Sequence, residues 1–125
     1  MGIIEIEGTH NTPSVVFDRK QGKLEIKGRS LPENPTEFYL PIIEGLQRLA
    51  RNLIPSFQAD IQLDYLNTSS TRSMLHIFKC LNTLQSKGCQ VKVNWYYEDD
   101  DIQKVGESYE VIVGMKINMI HVPRG

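Results

Sequence analysis

The sequence predicts an α/β fold, in which a mixed β-sheet of about five to six strands carries three α-helices mainly on one face. The first observation is the hydrophobic period, which changes along the chain in the order β-β-β-α-β-α-β-α-β. The second is that the later strands alternate, with Val93 and Trp95 opposed by Lys92 and Asn94. Parallel strands covered on both faces are apolar throughout. We therefore predict that the second face of the sheet stays partly open.

Three short strands begin the chain. Residues 3–7, 14–18 and 23–28 each alternate apolar and polar side chains. Gly22 closes the segment between the last two, where a turn needs positive φ. These strands should pair antiparallel.

Residues 32–52 change to a helical period. The apolar stripe consists of Phe38, Ile42, Leu46, Leu49 and Leu53. Asn34 is the predicted N-cap, followed by Pro35 in the first turn and by Glu37 as a capping-box acid. Pro41 removes one backbone hydrogen bond and should kink the helix or delay its regular part.

The second half alternates strands and helices, which implies parallel pairing through right-handed crossovers. The strands are predicted at 60–66, 90–97 and 116–122, and the helices at 73–88 and 99–114. In the first of these strands, Ile61, Leu63 and Tyr65 should share the buried face. The last helix should bury a stripe that consists of Ile102, Val105, Tyr109 and Ile112.

Length and composition limit the classes of function. The 125 residues fit a single domain spanning 1–125, with 40% hydrophobic and 23% charged residues. A net charge of −1 offers no field for nucleic acid or an acidic membrane, and no apolar run is long enough to span a bilayer. Cys80 and Cys89 are expected to be reduced thiols with structural roles, as in a cytoplasmic protein.

Catalytic and cofactor motifs are absent from the sequence. His10, His76 and His121 lie outside any metal-ligand spacing, and no glycine-rich nucleotide loop is present. The acidic run at 98–101 has two readings, a divalent cation site or acids that complement a helix start. The second reading is favoured, and we expect no enzyme activity, metal or other cofactor.

A run of hydroxyl residues between the strand 60–66 and the next helix is the main candidate site. Asn67 is followed by Thr68, Ser69, Ser70 and Thr71. One helix cap needs one such residue, and extra hydroxyls weaken a first turn by offering competing bonds. The run lies at the carboxyl end of a parallel strand, where functional groups collect.

The same run could alternatively be a modification site. A phosphate at a helix N-terminus meets free N–H groups and a positive dipole end. Arg72 follows Thr68 by four residues, so the two could pair on one helical face.

The residues also carry a resemblance to a known family. An amide or acidic residue followed by hydroxyls, after a strand and before a helix, resembles the phosphorylation loop of anti-sigma-factor antagonist (STAS) domains. The chain is more similar to the SiaC-like regulatory phosphoproteins, which have a STAS-like fold. The matching segments are "GTHNTP" (8–13), "LPENP" (31–35), "LDYLNTSSTRSM" (63–74) and "VNWYYEDDD" (93–101).

The resemblance implies a non-enzymatic bacterial switch. A dedicated Ser/Thr kinase would phosphorylate Thr68 and a PP2C-like phosphatase would reset it, with Asn67, Ser69, Ser70 and Arg72 as flanking residues. The unphosphorylated form would bind and activate a diguanylate cyclase or another effector protein, and a cyclase target would link it to cyclic di-GMP signalling and biofilm formation.

Two other hypotheses remain open at this point. A small enzyme or ligand-binding domain could use the crevice at the carboxyl end of strand 60–66, where Asp64 and His76 are the nearest reactive groups. A purely structural subunit would use the hydroxyls only as caps.

Overall fold

The computed structural model describes residues 2–123 and has the predicted order of elements. The strands are β1 (Ile3–Ile6), β2 (Ser14–Asp18), β3 (Lys23–Ser30), β4 (Ser56–Leu66), β5 (Gln90–Tyr97) and β6 (Asn118–His121). The helices are α1 (Pro35–Arg51), α2 (Thr68–Ser86) and α3 (Asp100–Val113). The predicted α/β class is therefore confirmed.

The six strands lie in one sheet in their sequence order, β1 to β6. β1, β2 and β3 pair antiparallel, whereas β3, β4, β5 and β6 pair parallel. Each of the three helical crossovers leads to the next strand on the same side, from β3 towards β6. Because such crossovers are right-handed, all three helices lie on one face of the sheet. One core cluster lies between that face and the helices, and includes Phe17, Ile61 and Trp95 from the sheet.

Helix α1 begins as the sequence predicts. The Asn34 side chain accepts from the backbone N–H of Glu37 at 3.1 Å, and Pro35 occupies the first turn. The helix then includes Pro41, six residues after its start, so its regular part is not delayed.

The predicted stripe of α1 is only partly right. Ile42 and Leu46 are fully buried, but Leu53 lies beyond the end of the helix and is 42% exposed. The stripe therefore ends at Leu49, one turn earlier than its spacing suggested.

Helix α3 is held close to the sheet by a glycine. Asp99 caps it by accepting from the Ile102 N–H at 3.0 Å, which confirms a capping role for the acidic run. A Cβ added at Gly106 would lie 2.6 Å from Trp95 Cδ1, so only glycine allows this approach. Ile112, predicted to be buried, is 62% exposed because α3 covers the sheet with a narrower face than its apolar stripe.

The end of β4 departs from simple alternation. The register with β3 passes from Gly28 opposite Leu63 to Arg29 opposite Tyr65, which skips Asp64. One extra residue reverses the faces of those that follow it. Tyr65, predicted to be buried, is 44% exposed, whereas Leu66 points into the core.

The second face of the sheet carries a ladder of polar side chains. The Asp60 carboxylate accepts from Asn94 Nδ2 at 2.8 Å and from Gln58 Nε2 at 3.0 Å. Asn118 extends the ladder by donating to Asn94 Oδ1 at 3.1 Å. The alternation of these strands therefore reflects mutual hydrogen bonding on a face without helices. Among the described residues, no helix is both long and apolar enough to cross a membrane.

Candidate functional site at the junction of β4 and α2

Helix α2 starts earlier than the apolar pattern indicated, at Thr68 rather than at residue 73. Asn67 is its N-cap, since its Oδ1 accepts from the Ser70 N–H at 2.8 Å. The Ser69 hydroxyl also donates to this oxygen, at 3.4 Å. Asn67 therefore performs the capping, and the hydroxyl run forms the first helical turn.

The four hydroxyl residues have different environments. Thr68 and Ser69 are exposed, whereas Ser70 is fully buried. Thr71 is half-buried, and its hydroxyl donates back to the Thr68 carbonyl. Only Thr68 and Ser69 are therefore exposed to a modifying enzyme in this conformation.

Ser70 belongs to a buried group of hydroxyls. Its Oγ donates to the Ser30 carbonyl at 3.0 Å, and Ser30 Oγ lies 2.6 Å from Tyr39 Oη. Burial raises the pKa of Tyr39 to about 12. The phenol is therefore a neutral hydrogen-bonding group throughout the physiological range.

A second tyrosine holds the same turn from α3. Tyr109 Oη donates to the Thr71 carbonyl at 2.8 Å. Burial is the largest cause of a raised pKa for Tyr109, with the nearby Tyr39 adding to it. A side chain from α3 thus contacts the first turn of α2 directly, and one from α1 is linked to that turn through Ser30.

The carboxyl edge of the sheet brings the sequence segments around this turn together. The Asn67 N–H donates to the Ser30 carbonyl at 3.1 Å, which joins the ends of β4 and β3. The Leu31 N–H donates to the Asn11 carbonyl at 2.7 Å, which places the loop 8–13 beside the end of β3. The fourth segment, 93–101, ends at the same edge, where β5 leads into α3.

The surface of the site is suited to an anion. The first turn of α2 has no acidic residue, and its N–H groups and helix dipole favour negative charge. Arg72 is exposed one turn after Thr68. Arg29, also exposed, lies over the Tyr65 ring at 5.6 Å from its centroid.

The structure does not bring Asp64 and His76 together as a reactive pair. Asp64 is exposed near the end of β4, whereas His76 lines a groove of about 390 Å³ between α1 and α2, beside Cys80 and Leu46. Within residues 2–123, no three His, Cys, Asp or Glu side chains are placed to share a metal ion. The groove beside His76 does not include Asp64.

Ser30 and Tyr39 are functional candidates that the sequence did not indicate. Ser30 follows the predicted end of a strand, and Tyr39 lies beside an apolar stripe. A polar residue at the end of an apolar strand was the only available signal, and such residues are common in loops.

Comparison with known proteins identifies the family. The model for the SiaC family of regulatory phosphoproteins matches residues 6–122. The chain belongs to the SiaC family. An uncharacterized protein of Pseudomonas aeruginosa (strain UCBPP-PA14) is 33% identical over 98 residues, which are 78% of this chain and 78% of that protein.

Solved structures of SiaC match almost the whole chain. SiaC of Pseudomonas aeruginosa superposes with a TM-score of 0.88 at 27% identity, covering 98% of this chain and 100% of that one. SiaC in a complex in which it is the activator of the diguanylate cyclase SiaD, also from Pseudomonas aeruginosa, has a TM-score of 0.88 at 26% identity. That match covers 95% of this chain and 99% of the other. The resemblance in the sequence is therefore confirmed, and the chain is a member of a regulatory phosphoprotein family.

Proposed function

We propose that this SiaC family protein is a non-enzymatic partner switch whose phosphoacceptor is Thr68. The observation that carries the proposal is the exposure of Thr68 at the start of α2, directly after the capping Asn67. Ser70 is fully buried and the Thr71 hydroxyl is engaged with a backbone carbonyl, so neither is a favourable substrate. Within the run 68–71, Ser69 is the other exposed hydroxyl residue, and it is the competing phosphoacceptor.

A phosphate on Thr68 would change the surface without disrupting the fold. It would add about −1.5 to −2 charges beside a helix N-terminus, where negative charge is stabilising. Arg72 is four residues further along α2, within the spacing of an i, i+4 pair. A dianion held in this way is costly to desolvate against an apolar or acidic partner surface.

The partner that best fits the family is a diguanylate cyclase. SiaC of Pseudomonas aeruginosa activates the cyclase SiaD and forms a complex with it. We propose that the unphosphorylated form of this chain binds and activates a cyclase of the same kind, which would raise cyclic di-GMP and favour biofilm formation. A Ser/Thr kinase and a PP2C-like phosphatase would set the phosphorylation state in the cytoplasm.

The first test maps the phosphoacceptor. The purified protein is incubated with extract of its host cells and ATP, and phosphopeptides are mapped by mass spectrometry. We expect phosphate on Thr68 in the wild type and its loss in Thr68→Ala, whereas Ser69→Ala should remain labelled. If Thr68→Ala is labelled as strongly as the wild type, Thr68 is not the acceptor.

The second test examines the switch. We expect Thr68→Asp to weaken binding to the host's SiaD-like cyclase at least tenfold, roughly 1.4 kcal/mol, whereas Thr68→Ala should bind as the wild type does. Binding is measured by calorimetry, and cyclase activity by cyclic di-GMP formation. Thr68→Asn is the control, because its side chain has the shape of the one in Thr68→Asp but carries no charge.

A further control places the same charge elsewhere on the helix. Thr83 is exposed in the last turns of α2, about 22 Å from Thr68 at 1.5 Å per residue. Thr83→Asp should leave cyclase binding unchanged. Equal binding by Thr68→Asp and the wild type would favour the structural-subunit hypothesis instead.

A further inference from the structure

Three buried hydroxyls connect three elements beneath the first turn of α2. Tyr39 lies on α1, Ser30 at the end of β3 and Ser70 on α2, and all three side chains are 0% exposed. Their oxygens are 2.6 Å apart between Tyr39 and Ser30, and 2.9 Å apart between Ser30 and Ser70. We call these residues the hydroxyl relay.

The direction of the relay follows from counting protons. Ser70 Oγ donates its proton to the Ser30 carbonyl, and Ser30 Oγ donates its proton to Ser70 Oγ. Each hydroxyl has one proton, so Tyr39 must be the donor to Ser30 Oγ. The Ser30 carbonyl also accepts the N–H of Asn67, which joins the relay to the helix cap.

The relay bonds the first turn to the end of β3 with Ser70 on its inner side. Successive residues of an α-helix differ by about 100° around its axis. With Ser70 bonded inward, Thr68 lies about 200° and Ser69 about 100° away from it around the axis, and both are exposed. A half-satisfied buried network is costly, so loss of one hydroxyl favours rearrangement of the others.

We propose that Tyr39, Ser30 and Ser70 are positioning residues that determine which hydroxyl of the run is offered for phosphorylation. This inference rests on the proposed function, because it concerns the selection of Thr68 over its neighbours. The relay withholds Ser70 and holds Thr68 outward at the start of the helix. None of the three residues touches the transferred phosphate in this scheme.

The first measurement is the exchange of the Ser70 and Thr71 amides, followed by NMR. Both amides are bonded to Asn67, to its side chain and its carbonyl respectively. Tyr39→Phe removes only the donor at the start of the relay, and we expect exchange of both amides to accelerate roughly tenfold. Tyr96→Phe, which loses a hydroxyl bonded to Asp60 on the other face of the sheet, should leave them unchanged.

The second measurement is the distribution of phosphate in Tyr39→Phe after incubation with host extract and ATP. We expect a several-fold slower reaction at Thr68 and detectable label on Ser70. Ile42→Val, a core variant of α1 that keeps every hydroxyl, controls for lost stability and should be labelled only on Thr68.

The outcomes separate the two proposals. The relay does not select the acceptor if the Ser70 and Thr71 amides of Tyr39→Phe exchange as in the wild type, or if Tyr39→Phe is phosphorylated only on Thr68. The proposed function stands in either case. If the wild type carries no phosphate on Thr68, both are overturned. Faster exchange together with label on Ser70, neither seen in Ile42→Val, supports the relay.

Discussion

At the level of single residues, the similar side chains between Asn67 and Thr71 have different roles in the site. Asn67 caps, Thr68 and Ser69 face solvent, and Ser70 is bonded inside. Four hydroxyls in a first turn would compete for the backbone if all were free. The structure resolves this competition by giving Ser70 and Thr71 fixed partners.

The cap can be tested by Asn67→Ala. We expect it to lower the free energy of unfolding by about 1 kcal/mol, because the Ser70 N–H loses its partner. Urea unfolding followed by circular dichroism gives the change. Ser69→Ala is the neighbouring control and should shift stability by less than about 0.5 kcal/mol, since Ser69 is exposed. Equal effects of the two changes would contradict the assignment of the cap.

At the scale of elements, the helices are positioned by two glycines. Gly45 on α1 packs against the Phe17 ring, and Gly106 on α3 packs against the Trp95 ring. Trp95 Nε1 also donates to the Ile102 carbonyl at 2.9 Å, which fixes α3 over β5. The position of α3 matters for the site because Tyr109, one turn after Gly106, contacts the first turn of α2.

Gly106→Ala tests this close approach. The added methyl group would lie 2.6 Å from Trp95 Cδ1, so the helix must move outward. We expect a loss of about 1 to 3 kcal/mol in the free energy of unfolding, despite the better helix propensity of alanine. Glu107→Ala, at the exposed neighbouring position, should change stability by less than about 0.5 kcal/mol. A stabilised Gly106→Ala variant would show that α3 is not held by this contact.

In the molecule as a whole, one polar network joins the layer of helices to the edge of the sheet. The hydroxyl relay runs from α1 to Ser30 at the end of β3 and on to α2, and Tyr109 adds a contact from α3. The first turn of α2 is therefore linked to the two other helices and to the end of β3.

The free energy of unfolding should depend on pH through Tyr39, which belongs to this network. The pKa of Tyr39 is raised from 10.0 to about 12, so its contribution is fully present below pH 10 and is lost as the pH rises towards 12. The advantage of the wild type over Tyr39→Phe should therefore shrink by about 1 kcal/mol between pH 8 and pH 11. Urea unfolding at several pH values measures it. A constant difference across this range would mean that Tyr39 is not held neutral by the core.

Much of the fold could be predicted because its signals are local. Alternation, helical spacing and a cap such as Asn34 depend on neighbouring residues. The errors arose where tertiary structure intervened. The register shift at Asp64 exposed Tyr65, and the narrow contact face of α3 left Ile112 in solvent.

Local patterns in the sequence specify the order of the elements, the cap of α1 at Asn34 and the presence of a hydroxyl run at the end of β4. Which of those hydroxyls faces solvent depends on long-range contacts in the folded chain. The reason is that Ser70 is turned inward by Ser30, which is 40 residues away in the chain, and by Tyr39 behind it. No local pattern records a contact between residues so far apart, so the exposure of Thr68 is a property of the folded molecule.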